Sequence, residues 1–176
     1  MRFPSIVQLP VILLAVNSSS RPCRAQSDTA AQKHIPLYAW LTAGVGASQY
    51  GPLTTLRTEW LAFGHLGAAL RRLHAGAGIN TTERVEHGWL LGARTTLGPF
   101  LLAAGVGRSQ VTGRNSNGEQ SGSTTPIAPE TGSTAQGELS LMLGSFVSLG
   151  GAVYRTQART YRNRGKAVFV QIGRLR

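Results

Sequence analysis

Leu37-Tyr38-Ala39-Trp40-Leu41-Thr42-Ala43-Gly44-Val45-Gly46 decides the fold of this 176-residue chain. Its odd positions are all apolar, while its later even positions shrink to Thr and Gly. A period of two belongs to a β-strand with two unlike faces. The same alternation, rich in Gly, Thr and branched aliphatics, recurs downstream, and no amphipathic helical stretch of useful length interrupts it.

Working outward, the pattern predicts strands at 36–48, 53–63, 66–78, 84–97, 100–111, 134–143, 146–159 and 166–175. Very short links at Gly64-His65, Gly98-Pro99 and Gly144-Ser145 follow the second, fourth and sixth strands and read as tight periplasmic turns. The connections 79–83, 112–133 and 160–165 are longer or more polar, although Gln49 to Pro52 is short. Alternating short and long links suit a barrel standing in an outer membrane, and an even strand number puts both ends on one side. The predicted class is all-β: an eight-stranded antiparallel up-and-down transmembrane β-barrel spanning 36–176, after an N-terminal signal peptide. Gly113 to Ser133 is nearly devoid of apolar residues and is expected to form a mobile outward loop.

Residues 1–25 read as that signal, with Arg2 as the positive start, Val11 to Val16 as the apolar core and Cys23-Arg24-Ala25 before the cut. Residues 26–35 would form a short periplasmic segment. Cleavage would remove Cys23, the only cysteine, leaving neither a disulfide nor a thiolate. Elsewhere no run approaches the roughly 18 to 20 apolar residues of a spanning helix, whereas tilted strands of about 9 to 11 residues suffice for a barrel. The formal charge of +11 stays basic after the signal leaves. Without a Lys-rich run, a recognition helix or an aromatic platform interleaved with basic residues, that charge does not point to nucleic acid.

One face of the strands is apolar: Leu37 to Val45 in odd positions, Leu56, Trp60 and Ala62, Leu66 to Leu70, Trp89 to Ala93, Phe100 to Val106, Leu139 to Leu143, Val147 to Val153 and Val168 to Ile172. It is predicted to meet lipid. The opposite face is small or polar, and a lumen of eight strands holds only side chains. Arg57, Arg71 and Arg94 are expected inside, with Glu59 and Glu138 as the carboxylates that accept their forked hydrogen bonds. Such a network would be a plug; the alternative is that some of these residues sit at solvated rims. Tyr38, Trp40, Trp60, Trp89, Phe100, Phe146 and Tyr154 fall near predicted strand ends, where interfacial aromatic girdles form.

Arg155, Arg159, Arg162, Arg164 and Lys166 gather around the last outward loop. At a membrane surface each basic residue contributes roughly 1 kcal/mol toward anionic headgroups, so lipopolysaccharide phosphates are the expected contacts, with a merely solvated loop as the alternative.

Ala43-Gly44-Val45-Gly46, Gly88-Trp89-Leu90-Leu91-Gly92-Ala93-Arg94, Leu102-Ala103-Ala104-Gly105-Val106-Gly107 and the closing Ala167-Val168-Phe169-Val170-Gln171-Ile172-Gly173-Arg174-Leu175-Arg176 resemble the small bacterial outer-membrane β-barrel domain proteins. The resemblance covers about residues 36 to 176. It implies an eight-stranded barrel with periplasmic ends, outer-membrane lipids and the outer-membrane insertion machinery as partners, and no assigned chemistry. The chain departs from the family in ending on Leu175-Arg176, where many members end on the aromatic residue that the insertion machinery reads.

Catalytic signatures are thin. His34, His65, His74 and His87 lack metal-site spacing, and His87 beside Glu86 cannot form a dyad because strand neighbours point to opposite faces. Gly44-Val-Gly46 and Gly105-Val-Gly107 lack the third glycine and helix of a dinucleotide loop. The leading expectation is a structural or surface-interaction role with no open pore, no enzymatic activity and no cofactor. A lipid-modifying enzyme, with His74 and Ser109 as candidates, and a soluble lipocalin-like barrel are the alternatives. The latter would need an apolar cavity and a polar exterior.

Overall fold

The computed structural model describes residues 35–76, 83–116 and 124–176. The expected signal peptide and most of the 26–35 segment lie outside the described residues. Eight strands, β1 (Leu37–Ser48), β2 (Gly51–Phe63), β3 (Leu66–Ala75), β4 (Glu83–Leu97), β5 (Phe100–Ser116), β6 (Thr124–Met142), β7 (Val147–Gln157) and β8 (Arg162–Arg174), pair antiparallel in chain order. β8 closes on β1, with Leu41 opposite Ile172 and Val45 opposite Val168, so the described sheet has no free edge.

Tight turns define one rim. Gly64 and Gly98 take φ of +62° and +59°, the left-handed region that glycine enters without a Cβ clash, and two-residue hairpins require it. Phe63 therefore pairs with Leu66, and Leu97 with Phe100. The opposite rim carries the long hairpin. Here the strands outrun expectation: β5 reaches Ser116 and β6 starts at Thr124, so 112–116 and 124–133 are ladder rather than loop. Backbone pairing has continued where composition offered no apolar reward, past a bulge between Val111 and Gly113. β8 likewise begins at Arg162, inside the expected 160–165 connection.

The register gives the geometry of closure. Following paired residues from Leu37 through Phe63, Leu66, Ala93, Ala104, Gly137, Val153 and Lys166 returns to β1 at Ala47, ten residues above the start. A stagger of ten over eight strands tilts them by about 40°, so each residue climbs roughly 2.5 Å along the axis.

In seven of the eight strands the two faces sort as the alternation predicts. Leu66, Leu91, Val106, Val153 and Val168 are among the exposed apolar residues of the outer wall, at 58–70%. β2 is inverted. Thr54, Leu56, Thr58, Trp60 and Ala62 point inward, while Thr55, Arg57, Glu59, Leu61 and Phe63 point outward. The interior is also less uniformly polar than expected. Trp40, Leu90, Leu101 and Leu175 line it toward the short-turn rim, and Leu56, Leu73 and Phe169 toward the other.

Candidate functional site

The interior polar residues form stacked layers. At the short-turn rim, the Arg94 guanidinium donates to the Leu175 carbonyl at 2.7 Å and lies over the Tyr38 ring, 3.6 Å from its centroid. It is inward as expected, but a carbonyl and aromatic faces hold it, with no carboxylate.

One layer up, Glu138 accepts from Trp60 Nε1 (3.1 Å), Thr42 Oγ1 (3.2 Å), Gln136 Nε2 (2.6 Å) and Gln171 Nε2 (2.7 Å). All four partners are neutral donors, so Glu138 is an inward carboxylate that takes no arginine. Trp60 reaches it because β2 turns its indole inward to stack on Trp40, with ring centroids 5.6 Å apart. Trp40, Trp60 and Tyr154 are buried inside the barrel, whereas Trp89, Phe100 and Phe146 are exposed.

Gln136 links this layer to the next, where Arg71 Nε donates to Gln136 Oε1 at 2.9 Å and Arg71 Nη1 to Glu86 Oε2 at 2.7 Å. Both side chains of the Arg71–Glu86 ion pair are fully buried. Glu86 further accepts from Thr156 Oγ1 (2.5 Å), Tyr161 OH (2.6 Å) and Asn163 Nδ2 (2.8 Å). Tyr161 comes from the β7–β8 turn and caps the lumen, stacked on Tyr50 at 5.1 Å. Burial and the adjacent Glu86 carboxylate push its phenol up, so it stays a donor. A chain of hydrogen bonds thus runs from Thr42 to Tyr161, and each link satisfies a group that would otherwise be costly to bury.

Of the five residues expected in this network, Arg71, Arg94 and Glu138 are inside. Arg57 and Glu59 are not: they lie on the outer wall, paired with each other at 2.7 Å, with side chains 62% and 49% exposed. Their place is taken by Glu86, Gln136 and Gln171, which sit on the same alternation as Gly88, Glu138 and Phe169 and were legible by parity. Parity reads Leu56, Trp60 and Ala62 as the lipid face and so places Arg57 and Glu59 in the lumen; β2 takes the opposite phase. The Trp60-Leu61-Ala62-Phe63 run is apolar on both faces and gives no phase.

The outer wall carries a second arrangement. Arg155, Arg162, Arg164 and Lys166 all point outward, with Arg155 opposite Arg164 and Lys166 opposite Val153 on neighbouring strands, and Arg159 is exposed in the turn. Because a hydrogen-bonded row climbs with the stagger of ten, equal heights must be read across rows. So read, Arg72, Arg108, Arg155 and Lys166 lie level to within roughly 4 Å, where the aliphatic band ends. Two of the residues expected at one loop, Arg155 and Lys166, are thus part of a basic girdle with members on β3, β5, β7 and β8, and Arg164 and Arg162 lie above it. Below it the band is roughly 20 Å tall.

Glu86 faces inward and His87 outward, so no dyad forms between them. His74 pairs instead with Glu83 at 2.7 Å on the outer wall, while Ser109 is buried inside, so His74 and Ser109 do not meet. No cluster of metal-ligating side chains occurs among the described residues.

An oily cylinder enclosing a polar, ionic plug reverses the sorting of a soluble lipocalin-like barrel and is the architecture of small outer-membrane β-barrels. Solved structures carry the same likeness. Neisserial surface protein A aligns with a TM-score of 0.54 and 12% identity, covering 80% of this chain and 96% of that one. The N-terminal β-barrel domain of Pseudomonas aeruginosa OprF gives 0.59 and 9%, covering 77% and 96%. Ail, the attachment invasion locus protein of Yersinia pestis, gives 0.52 and 9%, covering 78% and 95%. At these identities the likeness is one of fold. No family model matches the chain, and no curated protein matches its sequence.

Proposed function

We propose that the chain is an integral outer-membrane protein with a structural or surface-interaction role, neither an open pore nor an enzyme. The plugged barrel holds the β5–β6 hairpin above the bilayer, and the basic girdle clasps anionic headgroups, the phosphates of lipopolysaccharide foremost. The observation that carries this reading is the sorting of the wall: aliphatic side chains outside, a connected ionic network inside. Helping it is the girdle's placement at the rim of the long hairpin, where several arginines at one height can fork onto phosphate oxygens.

The test is to refold the full chain into neutral phosphatidylcholine vesicles with and without lipopolysaccharide. We expect lipopolysaccharide to raise the melting temperature of the parent chain, and Arg155→Gln/Arg164→Gln/Lys166→Gln to lose most of that rise while melting normally in neutral lipid. An equal rise in both would remove the headgroup contact. A chain that does not shift on boiling in a detergent gel would remove the membrane barrel itself.

A further inference from the structure

We propose that the β1–β2–β3 wall is a seam at which a second copy of this chain docks side by side in the membrane. Within the aliphatic band, β2 is the one strand among the described residues that presents a carboxylate outward, with Arg57 just below the girdle, opposite Arg72, and Glu59 two residues deeper. Its Arg57–Glu59 pair is flanked by Leu41 and Ala43 on β1 and by Leu70 and Arg72 on β3. Glu59 lies roughly 9 Å below the basic girdle, beyond the reach of a headgroup. Its sign is also wrong for a phosphate. Hydrocarbon solvates neither charge, and charged groups facing a bilayer interior turn toward a partner.

The pair is its own complement. Barrels inserted in the same direction can be related by a two-fold axis along the membrane normal, which brings equal heights together. Strand tilt offsets Arg57 from Glu59 sideways as well as vertically, so the axis sets each arginine beside the glutamate of the other copy. Two arginines and two glutamates then alternate in a ring, and each guanidinium, with its five donors, serves both carboxylates. Ala43 and Ala68, flanking β2 on either side, keep the contact low enough for close approach.

This inference rests on the barrel being membrane-embedded, which heat-dependent gel migration reports separately on every sample. In a Cys23→Ser background, Leu61→Cys marks the outer face of β2, and Leu139→Cys marks β6 as the control wall. Each chain is refolded into vesicles and treated with a short thiol crosslinker. Dimer yield should be at least fivefold higher at position 61 than at 139. Glu59→Arg alone and Arg57→Glu alone should each fall to the control yield while still migrating as folded barrels. Mixed one to one, these two variants should recover the dimer, because four positive charges in one pairing and four negative in the other become alternating charges. A yield at position 61 no higher than at 139 would overturn the seam. So would single variants that crosslink like the parent, or a mixture that fails to recover. If either reversal does not fold, Arg57→Gln/Glu59→Gln replaces it, and an undiminished yield from that chain would equally overturn the ionic ring.

Discussion

At the residue scale, the buried Arg71–Glu86 pair holds the upper plug together. Removing Arg71 alone strands a carboxylate that Thr156, Tyr161 and Asn163 hydrogen-bond but cannot neutralise. Breaking a buried pair this way costs about 3–5 kcal/mol, whereas replacing both partners is often near neutral. We therefore expect Arg71→Met to destabilise the barrel by that amount in urea titrations, and Arg71→Met/Glu86→Leu to recover most of it. Glu138 behaves differently because four neutral donors converge on it. Glu138→Gln keeps the shape but turns an amide NH2 toward donors, and each unsatisfied group costs about 1–3 kcal/mol. The same titration should show this nominally conservative change to be destabilising by at least that much.

At the scale of the element, strand phase explains what was legible. Wherever glycine or a hydroxyl alternates with an aliphatic residue, as in Thr42-Ala43-Gly44-Val45 or Ser148-Leu149-Gly150, periodicity placed each side chain on the correct face. It failed on β2, where Leu56, Trp60 and Ala62 read as the outward set although the four successive apolar residues from Trp60 to Phe63 fit either phase. The rule that charges go inside a membrane barrel is sound energetically, since a basic residue facing the midplane costs about 2–4 kcal/mol. Here it is overridden: Trp60 fills the lumen beside Trp40 and feeds an N–H to Glu138, and a period of two then forces Arg57 and Glu59 outward. No single-strand pattern carries that information, because the partners of Trp60 lie on β1 and β6. The long hairpin was missed for a related reason: ladder hydrogen bonds extend it without an apolar signature. Closure of β1 on β8 depends on small inward residues, since a Cβ at Gly46 would run into the Lys166 carbonyl and Ala167. Gly46→Val should open that seam, seen as loss of the fast-migrating unboiled band, whereas Ala43→Val on the outer face should leave it intact.

For the whole molecule, the two rims differ in charge on the outer wall. The girdle of Arg72, Arg108, Arg155 and Lys166 lies toward the long-hairpin end, while on the outer wall of the opposite end β8 offers Arg174. Screening by salt weakens exposed contacts of this kind over a Debye length of about 8 Å at physiological ionic strength. The stabilisation of the parent chain by lipopolysaccharide should therefore shrink as sodium chloride is raised from 50 mM to 1 M (about 14 Å to 3 Å of screening). The melting temperature in neutral lipid should stay nearly constant over the same range. A salt-insensitive rise would place the lipid contact on the aliphatic band and not on the girdle.

The ten-residue stagger implies one more property. If β8 slid along β1 by two residues, every side chain would keep its oily or watery side, yet the tube would acquire a different girth. Alternation is blind to that error; the plug is not, because its layers meet across the bore only at one diameter. The polar core thus acts as a gauge during assembly. A chain whose Glu138, Gln136 and Gln171 were all alanine would still insert, but as a mixture of calibres.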